Sequence, residues 1–112
     1  HLSCMSDTHY YWYLQNAAKY AFRNKIKVLV LGHTHRAGIF TVRRSNLLVI
    51  ERYRWPWQQA DSEKHFISPY EYCDRNDSVI VVNTGCCVGG RFDYCKIKNY
   101  CGTIDEIILV QK

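Results

Sequence analysis

The sequence predicts an α/β domain that contains one clear helix and a mixed β-sheet. Three patterns lead to this fold class. Residues 10–24 carry apolar side chains at helical spacing, while the short apolar runs at Val28–Leu31 and 79–82 have the length of buried strands, and residues 92–110 have the composition of a hairpin. No linker or internal repeat divides the 112 residues, so a single domain is expected over 1–112.

The helix over residues 10–24 is the best-defined element of the prediction. Polar residues that can cap a helix precede it, and a polar break at residues 25–27 ends it. The strand Val28–Leu31 follows, and its continuous apolar sequence predicts burial on both faces. The apolar face of the predicted helix consists of Tyr11, Leu14, Ala18, Ala21 and Phe22.

Further strands are predicted on both sides of a long irregular segment. Residues 52–77 contain both prolines and no clean periodicity, so they are expected to lack regular structure and to pack their aromatic side chains on their own domain. The predicted strands cover residues 38–42 and 47–51, joined by "RRSN", residues 79–82, and residues 92–98 and 103–110, joined around "NYCG".

The composition excludes several classes of protein. A hydrophobic fraction of 47% without low-complexity runs is typical of a globular domain. No apolar stretch approaches the roughly 20 residues that span a bilayer, and the first residues do not resemble a signal peptide, so we expect no membrane association and a cytoplasmic location. The six cysteines form no Cys-x-x-Cys pair, which argues against a thiolate zinc site and favours free thiols in a reducing compartment.

Charge alone does not select a partner. Fifteen Lys and Arg residues against ten Asp and Glu residues give a net charge of +5, with a local concentration of arginines. Such an excess suits an anionic substrate or a nucleic acid, but it also suits an ordinary solvated surface. The local concentration consists of Arg43, Arg44, Arg52 and Arg54.

Glycine-containing turns follow both apolar strands. The first, "LGHTHRAG", places His33 and His35 on either side of Thr34, and alternate residues of an extended segment point to the same side. Neutral imidazoles so placed can bind metal ions. The second turn, "NTGCCVGG", has three glycines, which allow close approach of a ligand to the backbone.

The order of these motifs resembles that of the calcineurin-like metallophosphoesterases. In that family, a strand that leads into Gly-His-x-His is followed by an Asn-Thr-Gly or similar turn and then by a closing hairpin. Here the order is "VLVLGHTH", "VVNTGCCVGG" and "FDYCKIKNYCGTIDEIILV". The resemblance implies an αββα sandwich and hydrolysis of phosphate mono- or diesters by two divalent metal ions (Mn, Fe, Zn or Mg).

The resemblance also implies roles for individual residues. His33 would bind one metal ion and His35 the other. A further histidine that precedes the helix would join His33, and His1 has that position, with His9 as the alternative. Residues 6–9, "SDTH", resemble the family's Asp-x-His motif, in which Asp7 and His9 would be ligands, but the motifs that should follow cannot fit in the 23 residues between His9 and His33.

The resemblance covers only the second half of the family's domain. The Gly-Asp-x-x-Asp motif, which supplies the bridging carboxylate, and the Asn-His pair are absent from the sequence. We therefore expect a C-terminal half that works with an N-terminal half of the same domain or with a partner chain. The fragment alone would be inactive, because two cations held close together need the bridging carboxylate.

Four residues are candidates for contact with the substrate phosphate or for shaping its site: Arg36, Asn83, Thr84 and Gly85. The sequence is also compatible with two alternative functions. In the first, the chain is an inactive phosphoesterase-like scaffold subunit that uses residues 52–77 as its contact surface. In the second, it is a nucleic-acid-binding module that uses its arginines and aromatic residues.

Overall fold

The described residues fold into one α-helix and two stacked β-sheets, which confirms the predicted α/β class. The computed structural model describes residues 7–32, 37–54, 61–71, 73–85 and 92–112, and for Asp7 and Arg54 it describes the backbone only. The elements are α1 (Asp7–Arg23), β1 (Val28–Leu31), β2 (Gly38–Arg43), β3 (Val49–Arg54), β4 (Ser62–Ile67), a 3-10 turn (Pro69–Glu71), β5 (Ser78–Asn83), β6 (Asp93–Tyr100) and β7 (Thr103–Gln111).

The first sheet is mixed and has the strand order β1-β5-β2-β3. β1 pairs with β5 in parallel, whereas β2 is antiparallel to both β5 and β3. The second sheet is antiparallel, with the order β4-β7-β6. The longest strand, β7, therefore lies at the centre of the second sheet, and β5 and β2 form the centre of the first.

Helix α1 covers one face of the first sheet. Its side chains at Leu14, Ala18 and Ala21 are fully buried because their spacing places them on one face of the helix. They pack against Phe40 and Val81 of the sheet. The helix ends in a Schellman motif: Lys25 has φ of 56°, and the Ile26 N–H donates to the Ala21 carbonyl at 2.8 Å.

The second sheet covers the opposite face of the first. The interface contains buried aliphatic and aromatic side chains from both sheets, which alternate with those that face α1 or solvent. Tyr53 of β3 packs edge-on against Phe66 of β4, with ring centroids 6.1 Å apart. The layers are therefore helix, sheet and sheet. The buried side chains of the interface are Ala37, Ile39, Phe66, Ile80, Val82, Ile107 and Leu109.

Two predictions about these strands are wrong. β1 was expected to be buried on both faces, but it is an edge strand, and Val30 is 43% exposed. Its apolar sequence reflects partial burial: Leu29 and Leu31 pack on the side of α1, and Val28 packs against the cluster between the sheets. Residues 52–77 were expected to be irregular, but they include the end of β3, all of β4 and the 3-10 turn.

The apolar periodicity of β4 is weak because only Phe66 of its inward-facing residues is apolar. The strand forms against β7, whose residues Ile107 and Ile108 pair with Phe66 and His65. The expectation that aromatic residues of this segment pack on their own domain holds for Tyr53, Phe66 and Tyr70, which all contact the core between the sheets.

No helix among the described residues has both the length and the apolar character needed to cross a bilayer.

Candidate metal centre at the strand ends

The two glycine-containing turns leave the first sheet side by side. β1 and β5 are parallel neighbours, and Leu31 pairs with Asn83 at their carboxyl ends. The backbone N–H of Thr84 donates to the Leu31 carbonyl at 2.9 Å, and its hydroxyl donates to the same oxygen at 3.3 Å. The start of the "GHTH" segment at Gly32 is thus bound directly to the "NTG" turn.

The turn after β5 has a defined backbone shape. The Asn83 side chain is fully buried, and its Oδ1 accepts a hydrogen bond from the Gly85 N–H at 3.2 Å. Gly85 has φ of 97°, in the left-handed region that favours glycine. An Asn two residues before a glycine is a common way to build such a turn. The side chains of Asn83 and Thr84 therefore shape the loop, and direct contact of these residues with a substrate remains a prediction.

β5 is flanked at this end by both ends of the "GHTH" segment. Leu31 of β1 pairs with Asn83 on one side, and Gly38 of β2 pairs with it on the other. A Cβ atom at Gly38 would lie 2.8 Å from the Phe40 ring, so the chain enters β2 through a position that only glycine fits without displacement. The segment between Gly32 and Gly38 therefore begins and ends close to Asn83.

The structure describes only part of the predicted ligand set. His1, His33, His35 and Arg36 lie outside the described residues. The alternative ligands Asp7 and His9 lie in the first turn of α1, and the His9 side chain is exposed.

The first turn of α1 packs over the middle of β2. Tyr10 packs edge-on against Phe40, the third residue of that strand, with ring centroids 5.6 Å apart. The neighbouring Tyr11 lies beside Leu47, at the β2–β3 turn. A ligand role for Asp7 or His9 therefore stays a prediction.

Buried polar residues of the second sheet lie at the end of the sandwich that carries the two glycine-containing turns. Asp93 and Gln111 are each 2% exposed, and they pair at one end of β6 and β7. Gln111 accepts a hydrogen bond from the Ser62 hydroxyl at 3.0 Å, whereas its buried amide nitrogen has no hydrogen-bond partner among the residues that the structure describes.

The opposite end of the second sheet lies beside the start of β5, which fixes the orientation. Arg75, which precedes β5, donates to Thr103 Oγ1 at 3.3 Å and to the Gly102 carbonyl at 3.4 Å, at the β6–β7 turn. The end that carries Asp93 and Gln111 therefore lies on the side of the carboxyl ends of β1 and β5. A buried amide without a partner is costly, so this nitrogen is expected to bind a water molecule or another polar group.

The sequence analysis did not predict that Asp93, Gln111 and Ser62 lie together at this end of the second sheet. All three lie at strand termini, where polar residues are ordinarily exposed. The burial of Asp93 and Gln111 and their position beside Ser62 depend on the pairing of β4 and β6 with β7, which joins residues up to 49 positions apart.

A second cluster of ionisable side chains lies on the outer face of the second sheet. Nδ1 of His65 is 2.6 Å from Oε2 of Glu106, and its Nε2 is 3.1 Å from Oε1 of Glu63. Lys98 Nζ approaches the other oxygen of Glu106 at 3.2 Å. The hydrogen bond to Glu106 raises the pKa of His65, and the same bond, with that from Lys98, lowers the pKa of Glu106.

The described cysteines are free thiols. Cys73 and Cys95 are half-buried, and burial raises the pKa of both thiols, so they are protonated at neutral pH. Cys101 is exposed in the β6–β7 turn. The expectation of free cysteines holds for these three residues, while Cys4, Cys86 and Cys87 lie outside the described residues.

Comparison with known proteins gives no relative for this chain: no family model, no curated protein and no solved structure matches it. Within the described ranges, no group of three or more His, Cys, Asp or Glu side chains is arranged to hold a metal ion. The function must therefore be inferred from the two motifs and from the strand ends that bring them together.

Proposed function

We propose that this chain supplies the C-terminal half of a calcineurin-like metallophosphoesterase domain, a metal-dependent hydrolase of phosphate mono- or diesters. The observation that carries the proposal is the parallel pairing of β1 and β5, with Leu31 opposite Asn83. Because carboxyl ends of parallel neighbours meet at one sheet edge, the "GHTH" and "NTG" segments begin side by side. Ligand sites of open α/β sheets form at such edges.

The layer order supports the proposal. A helix, a mixed sheet and a second sheet are three of the four layers of an αββα sandwich. The chain also leaves apolar surface for further segments to cover: Val30 on edge strand β1 is 43% exposed, and Ile97 on edge strand β6 is 40% exposed. The layer order fits a half-domain to which a further layer could be added, and the two edge strands are where further strands could pair.

In the proposed centre, His33 and His35 each supply a neutral imidazole to a different divalent ion, and His1 joins His33. When bound, the two ions clamp the phosphate and activate the attacking water. Arg36 follows the ligands directly and can pair with a phosphate oxygen. Asn83, Thr84 and Gly85 hold the neighbouring turn against Leu31, which fixes the point where the ligand segment leaves the sheet.

The alternative functions have less support from the described contacts. Arg44 stacks on the Phe22 ring at 4.5 Å and Arg52 donates to Thr41 Oγ1 at 3.1 Å, so two of the four clustered arginines have contacts within the fold. Residues 52–54 and 62–67 of the segment proposed as a scaffold surface belong to the sheets. Binding that depends steeply on salt would favour a nucleic-acid-binding module instead.

The proposal is tested by metal content and by hydrolysis. The full chain and the variants His33→Ala and His35→Ala are loaded with Mn²⁺, separated from free ions and examined by elemental analysis. Each variant is expected to retain less metal, because each removes a ligand. With a complementary segment that supplies Gly-Asp-x-x-Asp and Gly-Asn-His motifs, hydrolysis of an aryl phosphate monoester or diester should fall by orders of magnitude in both variants.

Thr34→Ser is the matched control, since residue 34 alternates with the two ligands and should point away from the centre. Its metal content and turnover should stay close to those of the parent. Unchanged metal content and unchanged hydrolysis in both alanine variants would refute the phosphoesterase proposal and favour a binding subunit.

A further inference from the structure

His65 lies on the second sheet between two carboxylates, one exposed and one mostly buried. Glu63 and His65 are alternate residues of β4, so their side chains point to the same face. Both are well exposed, at 43% for the His65 side chain and 51% for that of Glu63. Glu106, on the neighbouring strand β7, is only 12% exposed and contacts the other nitrogen of the imidazole.

The hydrogen bond to Glu106 determines what the outer nitrogen of His65 can do. A carboxylate 2.6 Å from Nδ1 requires a proton on that nitrogen. In the neutral ring, Nε2 then carries a lone pair directed at a carboxylate oxygen of Glu63, 3.1 Å away. Two acceptors at this distance repel each other unless a proton or a cation lies between them.

The spacing of these two atoms suits a metal chelate. Ligand atoms bound to one ion at about 2.1 Å, with an angle of roughly 90° to 110°, are separated by about 3.0–3.4 Å. Nε2 of His65 and Oε1 of Glu63 have this separation in the structure. Imidazole with carboxylate is a ligand pair that suits Zn²⁺ and neighbouring divalent transition metals.

The surroundings resemble those of a bound metal ligand. Metal-binding histidines donate their other N–H to a carboxylate, which fixes the ring and raises its basicity. Glu106 provides that contact, and Lys98 holds the second oxygen of Glu106 at 3.2 Å. The Tyr53 hydroxyl donates to the His65 carbonyl, which also fixes the backbone of β4 at this residue.

We propose that Glu63 and His65 form a surface binding site for a divalent transition metal ion, with Glu106 as a positioning residue that orients the imidazole. The two side chains fill two coordination positions and leave the rest to water or to an external ligand. This site lies on the outer face of the second sheet, and it does not depend on the centre proposed at the strand ends.

The test uses Zn²⁺ and the full chain carrying His33→Ala and His35→Ala, which removes the centre proposed at the strand ends. With ¹⁵N-labelled histidine, the imidazole signals are followed during a zinc titration at pH 7.5, and the spectrum of His65→Gln assigns His65. The Nε2 signal of His65 is expected to shift with a stoichiometry of one zinc ion per chain. The Nδ1 signal should keep the features of a hydrogen-bonded N–H.

Variants separate the ligands from the positioning residue. Glu63→Gln and His65→Gln should each lower zinc affinity at least tenfold, while Glu106→Gln should lower it by roughly 10- to 100-fold and retain the 1:1 stoichiometry. Rescue by Glu106→Asp, partial or complete, would mark a role in orientation. Lys96→Gln, an exposed residue of the same face, is the matched control and should leave zinc affinity unchanged.

A His65 signal that stays in place at millimolar zinc would overturn the proposal, as would full zinc affinity in folded Glu63→Gln. The latter variant changes only an exposed side chain, so it remains informative if His65→Gln fails to fold.

Discussion

The two outer surfaces of the sandwich are built differently. The first sheet buries its outer face beneath α1, where Leu14, Ala18 and Ala21 are fully inaccessible. The described residues place no helix over the outer face of the second sheet. There Ile108 and Val110 are nevertheless 4% and 1% exposed, in a strand flanked by longer side chains on β4 and β6. Buried apolar contacts with α1 thus stabilise the outer face of the first sheet, whereas the outer face of the second sheet carries polar and charged side chains on β4 and β6.

The difference indicates where each surface tolerates change. Side chains between a helix and a sheet are enclosed by backbone, which relaxes little when atoms are removed. Long exposed side chains such as those of Lys96 and Lys98 have flexible stems that can move into a gap. The outer face of the second sheet should therefore adapt more readily, and it also carries the ionisable cluster.

The largest expected effect comes from Leu14→Ala. Removing a fully buried leucine between α1 and the first sheet should lower the free energy of unfolding by about 2–5 kcal/mol. Ile108→Ala on the second sheet should cost less, near 2 kcal/mol, because the covering side chains can close over the cavity. Urea denaturation of both variants measures the difference, and an equal or larger loss for Ile108→Ala would contradict the comparison.

A smaller effect is expected at the strand ends. Thr84→Val keeps the shape of the side chain but removes the hydroxyl that donates to the Leu31 carbonyl, and one such bond contributes about 0.5–1.5 kcal/mol. Since the Thr84 N–H still binds the same oxygen, the turn should persist with lower stability. Thr84→Ser, which keeps the hydroxyl, is the matched control and should retain this hydrogen bond. A Thr84→Val protein as stable as the parent would show that the hydroxyl does not hold the two turns together.

The core of this fold could be predicted from local sequence, because helices and central strands carry their own periodicity. The helix was expected at residues 10–24 and lies at Asp7–Arg23, and the strand expected at 79–82 lies within β5. β4 was missed because Ser62 and Lys64 occupy its inward positions and only Phe66 gives an apolar signal. Its strand conformation depends on pairing with β7, which a local pattern does not contain.

The features of the candidate sites also fall into two groups: those that follow from local sequence and those that need long-range pairing. Gly85 with positive φ and the hydrogen bond from its N–H to Asn83 follow from local turn chemistry. The burial of Gln111 and the contact of His65 with Glu106 join residues 41 or more positions apart, so no local pattern could indicate them. Long-range pairing in the second sheet creates both features.

The smallest expected effect concerns the pH dependence of the ionisable cluster. The pKa of His65 is raised above 6.5, mainly by its hydrogen bond to Glu106, so its stabilising contribution is complete below pH 6.5 and is lost as the pH rises through the folded-state pKa. The pKa of Glu106 is lowered from 4.5, so its contribution is complete above pH 4.5 and is lost as the pH falls. Both contributions are present together between about pH 4.5 and 6.5.

The melting temperatures of the parent and of His65→Gln, measured with a chelator from pH 3 to 9, should therefore differ most within that window and converge on either side of it. Lys96→Gln should run parallel to the parent throughout. A difference between parent and His65→Gln that does not change with pH would mean that His65 stabilises the second sheet by packing alone, and the outer surfaces of the sandwich would then be more alike than their charges suggest.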